Sequence, residues 1–224
     1  MWCIPPKQNA AFVAAMEDVL DLYTQPFDAN LPTICMDEKP YQLLKDIRPS
    51  LPSKAGSVEK VDNEYKREGT CSIFMFNEPL GGWRHVHARK RRTKVDWAYE
   101  IKELLTTHYS GVPKVRLVCD NLNTHVLSSL YEAFCAVEAR ALVERLEIHY
   151  TPKHGSWLNI AELELSVLSR QCLDRRIDRL DVLNEQVAAW ERARNVSQRG
   201  VDWQFTTADA RIKLKRVYPT LHFI

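Results

Sequence analysis

Three acidic residues stand against apolar segments that should fix them in space. Asp37 follows Thr33-Ile34-Cys35-Met36, Asp120 follows Val115-Arg116-Leu117-Val118-Cys119, and Glu162 lies within Trp157-Leu158-Asn159-Ile160-Ala161-Glu162-Leu163. A carboxylate beside an apolar wall is destabilising unless something pairs with it, and carboxylates held together repel one another until a cation joins them. A divalent metal site is the simplest reading. Hard oxygen donors of this kind suit magnesium or manganese rather than zinc. The spacing leaves one alternative open, because strand-end aspartates also serve as caps and salt-bridge partners.

The elements that must position these residues can be read around them. Each aspartate stands at the C-terminal end of a short β-branched run bounded by turn signals, which is where open α/β sheets place their ligands. Glu162 differs, lying in a helical pattern that begins near Asn159 and runs through Leu163, Val167 and Leu168 toward Cys172. Two strand ends and one helix could therefore converge. Glu164 competes with Glu162: the two point about 200° apart on a helix, yet both have apolar neighbours one turn on, and periodicity does not choose between them. Glu38 should face the opposite side of its strand from Asp37, toward a salt bridge or solvent. Asn121, Asn123 and His125 read either as turn and cap residues or as groups that orient ligands or touch DNA, and Trp157 as a packing anchor.

Elsewhere, Ala10 to Leu22 is amphipathic at helical spacing, with Phe12, Met16, Val19 and Leu20 on one side, after an Ile4-Pro5-Pro6 linker end. Leu51 to Thr70 is rich in Pro, Ser, Gly and charge and should be a loop or hairpin connection. Cys71 to Phe76 and Trp83 to Ala88 read as neighbouring strands. Thr93 and Asp96 form a capping box for a helix that buries Trp97, Ile101, Leu104 and Leu105. Val115 to Cys119 and Leu146 to Tyr150 are strands; His125 to Phe134, Val137 to Arg145, Asp181 to Arg194 and Thr206 to Val217 are helical. The fold class expected is α/β, a mixed central sheet flanked by helices.

Charge is clustered rather than large. The formal net charge is only +2, but residues 84–94 carry Arg84, Arg89, Lys90, Arg91, Arg92 and Lys94 with no acid, and Arg170, Arg175, Arg176 and Arg179 follow the glutamate helix. Phosphates attract such stretches by neutralisation and counterion release, without reading sequence. The alternative is a solvated strand end and loop. Lys153 and His154, just before the glutamate helix, are further candidate phosphate contacts. His85 and His87 would share one face of a strand as a metal pair, but no third ligand lies near them in sequence.

The segments Cys35-Met36-Asp37-Glu38-Lys39-Pro40, Cys119-Asp120-Asn121-Leu122-Asn123-Thr124-His125 and His149-Tyr150-Thr151-Pro152-Lys153-His154-Gly155-Ser156-Trp157-Leu158-Asn159-Ile160-Ala161-Glu162 resemble, in order, the three signature blocks of bacterial insertion-sequence transposases of the Tc/mariner-like superfamily. The resemblance continues through Phe205 to Arg216. It implies a DDE-type catalytic domain with a ribonuclease H-like fold, with Asp37, Asp120 and Glu162 as catalytic metal ligands, and it alone selects Glu162 over Glu164. It also implies two Mg2+ or Mn2+ ions, DNA cleavage and strand transfer in cut-and-paste transposition, and DNA partners at the element ends and target. A homodimer is a further expectation. Two features depart from the pattern. The Asp120–Glu162 interval, 42 positions, is longer than usual, with Val137 to Arg145 as an added helical segment, and residues 48–64 carry Glu59, Asp62 and Glu64 where a more basic or aromatic hairpin is expected. A decayed copy, a non-catalytic binding module on the same fold and a nuclease without strand transfer are the competing readings.

The organisation expected is a linker and helix over residues 1–30, following an upstream DNA-binding region, and a catalytic domain over 31–224. A chain of 224 residues with 45% hydrophobic content can bury one sizeable core. No apolar run approaches bilayer length and no secretory h-region is present, so no membrane partner and a cytoplasmic location are expected. The six cysteines, at 3, 35, 71, 119, 135 and 172, form no CxxC pair and read as small reduced core residues.

Overall fold

The computed structural model of the protein describes residues 4–220. A five-stranded mixed sheet, ordered β3-β2-β1-β4-β5, is its centre. Strands β1 (Thr33–Asp46), β2 (Tyr65–Glu78) and β3 (Trp83–Arg89) form an antiparallel meander, while β4 (Val115–Asp120) and β5 (Leu146–Thr151) add in parallel beyond β1. This is the expected ribonuclease H-like sheet. The period-two side-chain alternation of strands explains its two faces. Cys35, Ile73, Met75, Val86 and Val118 point to one side, toward helices α1 (Ala10–Tyr23), α5 (Ile160–Gln171), α6 (Leu180–Val196) and α7 (Thr207–Lys213). Ile34, Met36, Phe74, Phe76 and Leu117 point to the other, toward α2 (Lys94–Glu103), α3 (Ser128–Ala133) and α4 (Ala136–Glu144).

Helix starts are set by local capping, expected at Thr93 and found at two further helices. Thr93 and Asp96 form the capping box of α2, Thr206 and Asp209 that of α7, and the Asn159 side chain accepts the Ala161 N–H at the start of α5. Phe12, Met16, Val19 and Leu20 of α1 join the same core as α5 and α6. Three boundaries differ from expectation. The β1–β2 hairpin is longer at both ends, so Asp37 is inside a strand and β2 begins at Tyr65, where a connection is expected. A bulge between Leu43 and Leu44 opposes Gly69, whose φ of 116° suits glycine, and lets the hairpin continue. The helix expected from His125 begins only at Ser128, because 122–127 turn tightly with the His125 N–H bonded to the Leu122 carbonyl.

The outer edge of β3 is closed by α6. Asn184 bonds both backbone groups of Ala88, Asn195 both of Arg84, and Glu191 accepts the Val86 N–H, at 2.8–3.0 Å. An edge strand with bare N–H and C=O groups is a template for pairing with other chains, and these three side chains occupy that edge. Cys35, Cys71, Cys119 and Cys172 are buried thiols, as expected, but Cys135 is exposed because it precedes α4 at the surface; Cys3 lies outside the described residues. Among the described residues no helix is long and apolar enough to cross a membrane.

Candidate active site

Asp37 sits where the sheet divides. The parallel β1–β4 ladder stops at Cys35 opposite Val118, whereas β1 continues against β2, so Asp37 stands just past the last rung with its side chain on the α5 face. Asp120 is the final residue of β4. Glu162 enters from the first turn of α5. That helix is tied down beside Asp37: Asn159 Nδ2 donates to the Met36 carbonyl at 2.8 Å, and the Tyr23 hydroxyl donates to the Leu158 carbonyl at 2.7 Å. Asp37 and Glu162 line one cleft of about 420 Å³ together with Lys39, Ser169 and Arg170, and Lys39 Nζ donates to Ser169 Oγ across it. Asp120 lines a second cleft of about 650 Å³ with Tyr150, Lys153 and His154.

Electrostatics join the three acids. Burial pushes the Asp37 carboxyl up to about 7; the Glu38 N–H donated to its Oδ1 at 2.7 Å opposes this, and the charges of Asp120, Glu162 and Glu38 add to the rise. Two acids remote in sequence, Asp120 and Glu162, thus act on one carboxyl group. Acidic charge is therefore crowded around Asp37, and the donors are all carboxylate oxygens, which fits magnesium or manganese. The trio is not drawn so close that all its ligand atoms fall within 4.8 Å of one another, as they do in the histidine-containing groups described further on.

Asp120 is held from the opposite face of the sheet. Glu38, as expected, points away from Asp37 and is salt-bridged: its Oε2 lies 2.7 Å from His125 Nε2, and its Oε1 3.7 Å from Arg92 Nη1. His125 Nδ1 lies 2.6 Å from Asp120 Oδ1 and 3.2 Å from the Asp120 carbonyl. Both ring nitrogens thus face acceptors, an arrangement that favours the protonated ring. Burial opposes that charge, but Asp120, Cys119 and Glu38 outweigh it and push the His125 pKa up to about 12. Asn159, Lys39 and the Glu38–His125 link have no functional signal in the sequence beyond their place in the motifs.

The Glu162/Glu164 ambiguity has a structural answer. Glu162 is exposed in the cleft, whereas Glu164 is buried between Arg84 Nε at 2.9 Å and Arg194 Nη2 at 3.0 Å. Arg84 is accordingly not a phosphate contact: it is 2% exposed and also donates to the carbonyls of Gly82 and Arg199. Its place on β3 explains this, since Arg84, Val86 and Ala88 share the inward face. Arg89 is held by Glu100 and lies over Tyr99, and Lys94 pairs with Glu132 at 2.6 Å. Lys90, Arg91 and Arg92 are exposed, as are Lys153 and His154. Residue His154 has φ 68°, a left-handed conformation that turns the chain into the helix start. Three of the second basic group have partners: Arg175 bonds Gln186, Arg176 pairs with Asp46 and Arg179 with Asp181. The acids of residues 48–64 pair locally, Asp62 and Glu64 with Arg48.

With this geometry described, similarity to known proteins can be placed on it. The DDE superfamily endonuclease family matches residues 32–184, more than half of the chain. No curated protein matches in sequence. Among solved structures, the Mos1 mariner paired end complex with Mn is similar at TM-score 0.55 and 13% identity, over 88% of this chain and 61% of that one. The Mos1 transposase paired-end complex with left transposon end gives 0.56 and 12%, with coverage of 88% and 61%. The catalytic domain of Mos1 mariner transposase gives 0.54 and 10%, over 88% of this chain and 92% of that one. Identities this low establish a shared fold. The chain spans 61% of the length of the Mos1 chains in the two paired-end complexes.

Proposed function

The chain belongs to the DDE superfamily endonucleases, and on that premise we propose that it is the catalytic domain of a Tc/mariner-like transposase that cuts DNA at the ends of an element and joins the freed 3′ hydroxyl to a target. The observation that supports this reading is that the charges of Asp120, at the end of a second strand, and Glu162, on a helix, both raise the pKa of the buried Asp37 carboxyl. In this reading the three carboxylates hold two Mg2+ or Mn2+ ions. When bound, such ions stabilise charge on the entering and leaving oxygens of an in-line phosphodiester displacement and lower the pKa of the attacking water.

The protein's own residues supply position. Asp37, on a strand paired to β2 from Cys35 to Asp46, would be the most rigidly held of the metal donors. Asp120 is steered by His125, which is anchored in turn by Glu38. Glu162 lies on the first turn of a helix and is the most adjustable donor. Lys90, Arg91 and Arg92 on one side, and Lys153 beside Asp120, contribute positive charge along which a DNA backbone can lie, with His154 exposed next to Lys153 as a further polar contact. DNA and a second copy of the chain, in a homodimer, are the partners of this reading, with recognition of the element ends assigned to a region upstream.

Incubation with Mg2+ and a labelled duplex carrying an element end tests it. Cleavage that leaves a 3′ hydroxyl, followed by strand-transfer joints with target DNA, supports the proposal. Nicks without joints identify a nuclease, and no cleavage with intact metal binding identifies an inactive domain.

A further inference from the structure

The histidines of β3 have no part in the carboxylate centre, and their surroundings are unusual. His85 and His87 do share one face of the strand, the face opposite Asp37, and the partners that sequence spacing does not supply come from α2 and the turn after it. At Leu104 the regular α-helix gives way to a π-helical turn, Leu104–His108, closed by the Tyr109 N–H to the Leu104 carbonyl at 2.9 Å. The wider turn brings His108 back over β3, where its ring centroid lies 4.3 Å from that of His85. Single π turns are frequent at functional sites.

Two features of this cluster point to a ligand. First, the Nε2 atoms of His85 and His108 are both buried without a hydrogen-bond partner, although buried polar atoms are ordinarily paired. Second, one ligand atom each from His85, Glu103 and His108 lie within 4.8 Å of one another, with His85 Nε2 and Glu103 Oε1 3.9 Å apart. Nδ1 of His85 faces Glu191 Oε2 at 3.2 Å, and that carboxylate oxygen is fixed by the Val86 N–H at 2.8 Å. A carboxylate on Nδ1 places the proton there and leaves the Nε2 lone pair directed into the cluster, as in carboxylate–histidine–metal arrangements. Trp83 stacks against His85 and tilts against His108, forming an apolar wall on one side.

We propose that His85, Glu103 and His108 bind one divalent transition-metal ion of the zinc class, at a site separate from the carboxylate centre, and that this ion ties the π-helical turn to edge strand β3. Bonds of about 2.0–2.2 Å require the three donors to close to about 3.4 Å apart, a sub-rotamer adjustment for Glu103 and the imidazoles. Glu103 is 40% exposed, which leaves a path for the ion and room for water as a fourth ligand. The neighbouring His87 is already engaged by Glu100, which also holds Arg89, so that pair offers no comparable vacancy of charge. Imidazole donors select zinc-class ions over magnesium, so the two centres are separable by metal.

Zn2+ titration by calorimetry tests this in the untagged full chain carrying Asp37→Asn, Asp120→Asn and Glu162→Gln, which removes the other centre. The expected result is one Zn2+ per chain, not displaced by excess Mg2+, with the visible absorption of a tetrahedral site when Co2+ is used instead. On that background Glu103→Gln and His108→Gln each weaken Zn2+ binding at least about tenfold, and Glu191→Gln weakens it about 10–100-fold, with unchanged far-ultraviolet circular dichroism. Glu103 is half-exposed, so its variant keeps the test valid if His108→Gln misfolds. Absence of saturable Zn2+ binding, or binding unmoved by Glu103→Gln, overturns the proposal.

Discussion

Glu162 and Glu164 are two residues apart on α5 and occupy opposite environments: Glu162 opens into the cleft it shares with Asp37, and Glu164 is enclosed by the guanidinium groups of Arg84 and Arg194. One carboxylate is available for chemistry, and the other is structural.

The two residues should therefore separate stability from activity. Removing one partner of a buried ion pair leaves uncompensated charge, so Glu164→Gln is expected to cost about 3–5 kcal/mol, whereas the exposed Glu162→Gln changes stability by no more than about 0.5 kcal/mol. Denaturant unfolding of both variants measures this. The pH dependence has a definite sign. Burial opposes ionisation of Glu164, but Arg84 and then Arg194 hold its pKa below the ordinary value, so its contribution is complete above the usual carboxylate range and is lost as pH falls through the folded-state value. Glu164→Gln should lack that component of acid unfolding.

Asp37 has the opposite sign. Its folded-state pKa, raised to about 7 by burial and the neighbouring acids, means that the metal-free protein loses stability as pH rises from the unfolded carboxylate value through about 7. Asp37→Asn removes this penalty. In thermal melts at pH 8 without metal the variant should melt higher than wild type, by about 2–4 °C for each kcal/mol of repulsion relieved, and the difference should vanish near pH 4. A variant that melts lower at pH 8 contradicts the charge crowding described for the site.

His125 is a positioning residue in this account, because it touches Asp120 and Glu38. His125→Gln and Glu38→Gln should each raise the Mg2+ concentration needed for half-maximal DNA cleavage about 10–100-fold, as loss of supporting shells does around metal ligands. An effect on protein stability with an unchanged Mg2+ dependence assigns the pair to structure instead.

DNA binding should distinguish the basic residues by exposure. Lys90→Ala and Arg91→Ala are expected to weaken binding uniformly across sequences, and each lost phosphate contact lowers the slope of log affinity against log salt by about 0.9. Arg84→Ala should instead lower the melting temperature, because it strands Glu164. Salt titrations by fluorescence anisotropy, beside melting curves, check both.

Much of this was legible in the sequence where local chemistry decides. The capping box at Thr93, the helix start near Asn159 and the strands before Asp37 and Asp120 follow from short-range rules, and the three motifs point to acids whose charges act on the Asp37 carboxyl. Long-range partners were not legible. Glu38 meets His125 across 87 positions and Arg84 meets Glu164 across 80, and no local pattern encodes such pairs. Arg84 did carry a usable signal, since it alternates with Val86 and Ala88 on the apolar face of β3. The line Ile160-Glu164-Leu168, at helical spacing, similarly marks the buried side of α5. The β-branched run that marks the strand stops before Asp37, yet the strand continues to Asp46 because β2 pairs with it, Pro40 included, opposite Ser72.

The most direct measurement is calorimetric titration of Mn2+ into wild type and into Asp37→Asn, Asp120→Asn and Glu162→Gln, each shown to be folded. The account predicts saturable binding by wild type and its loss or severe weakening in all three variants. Equal Mn2+ binding by wild type and the three variants would contradict a shared metal centre.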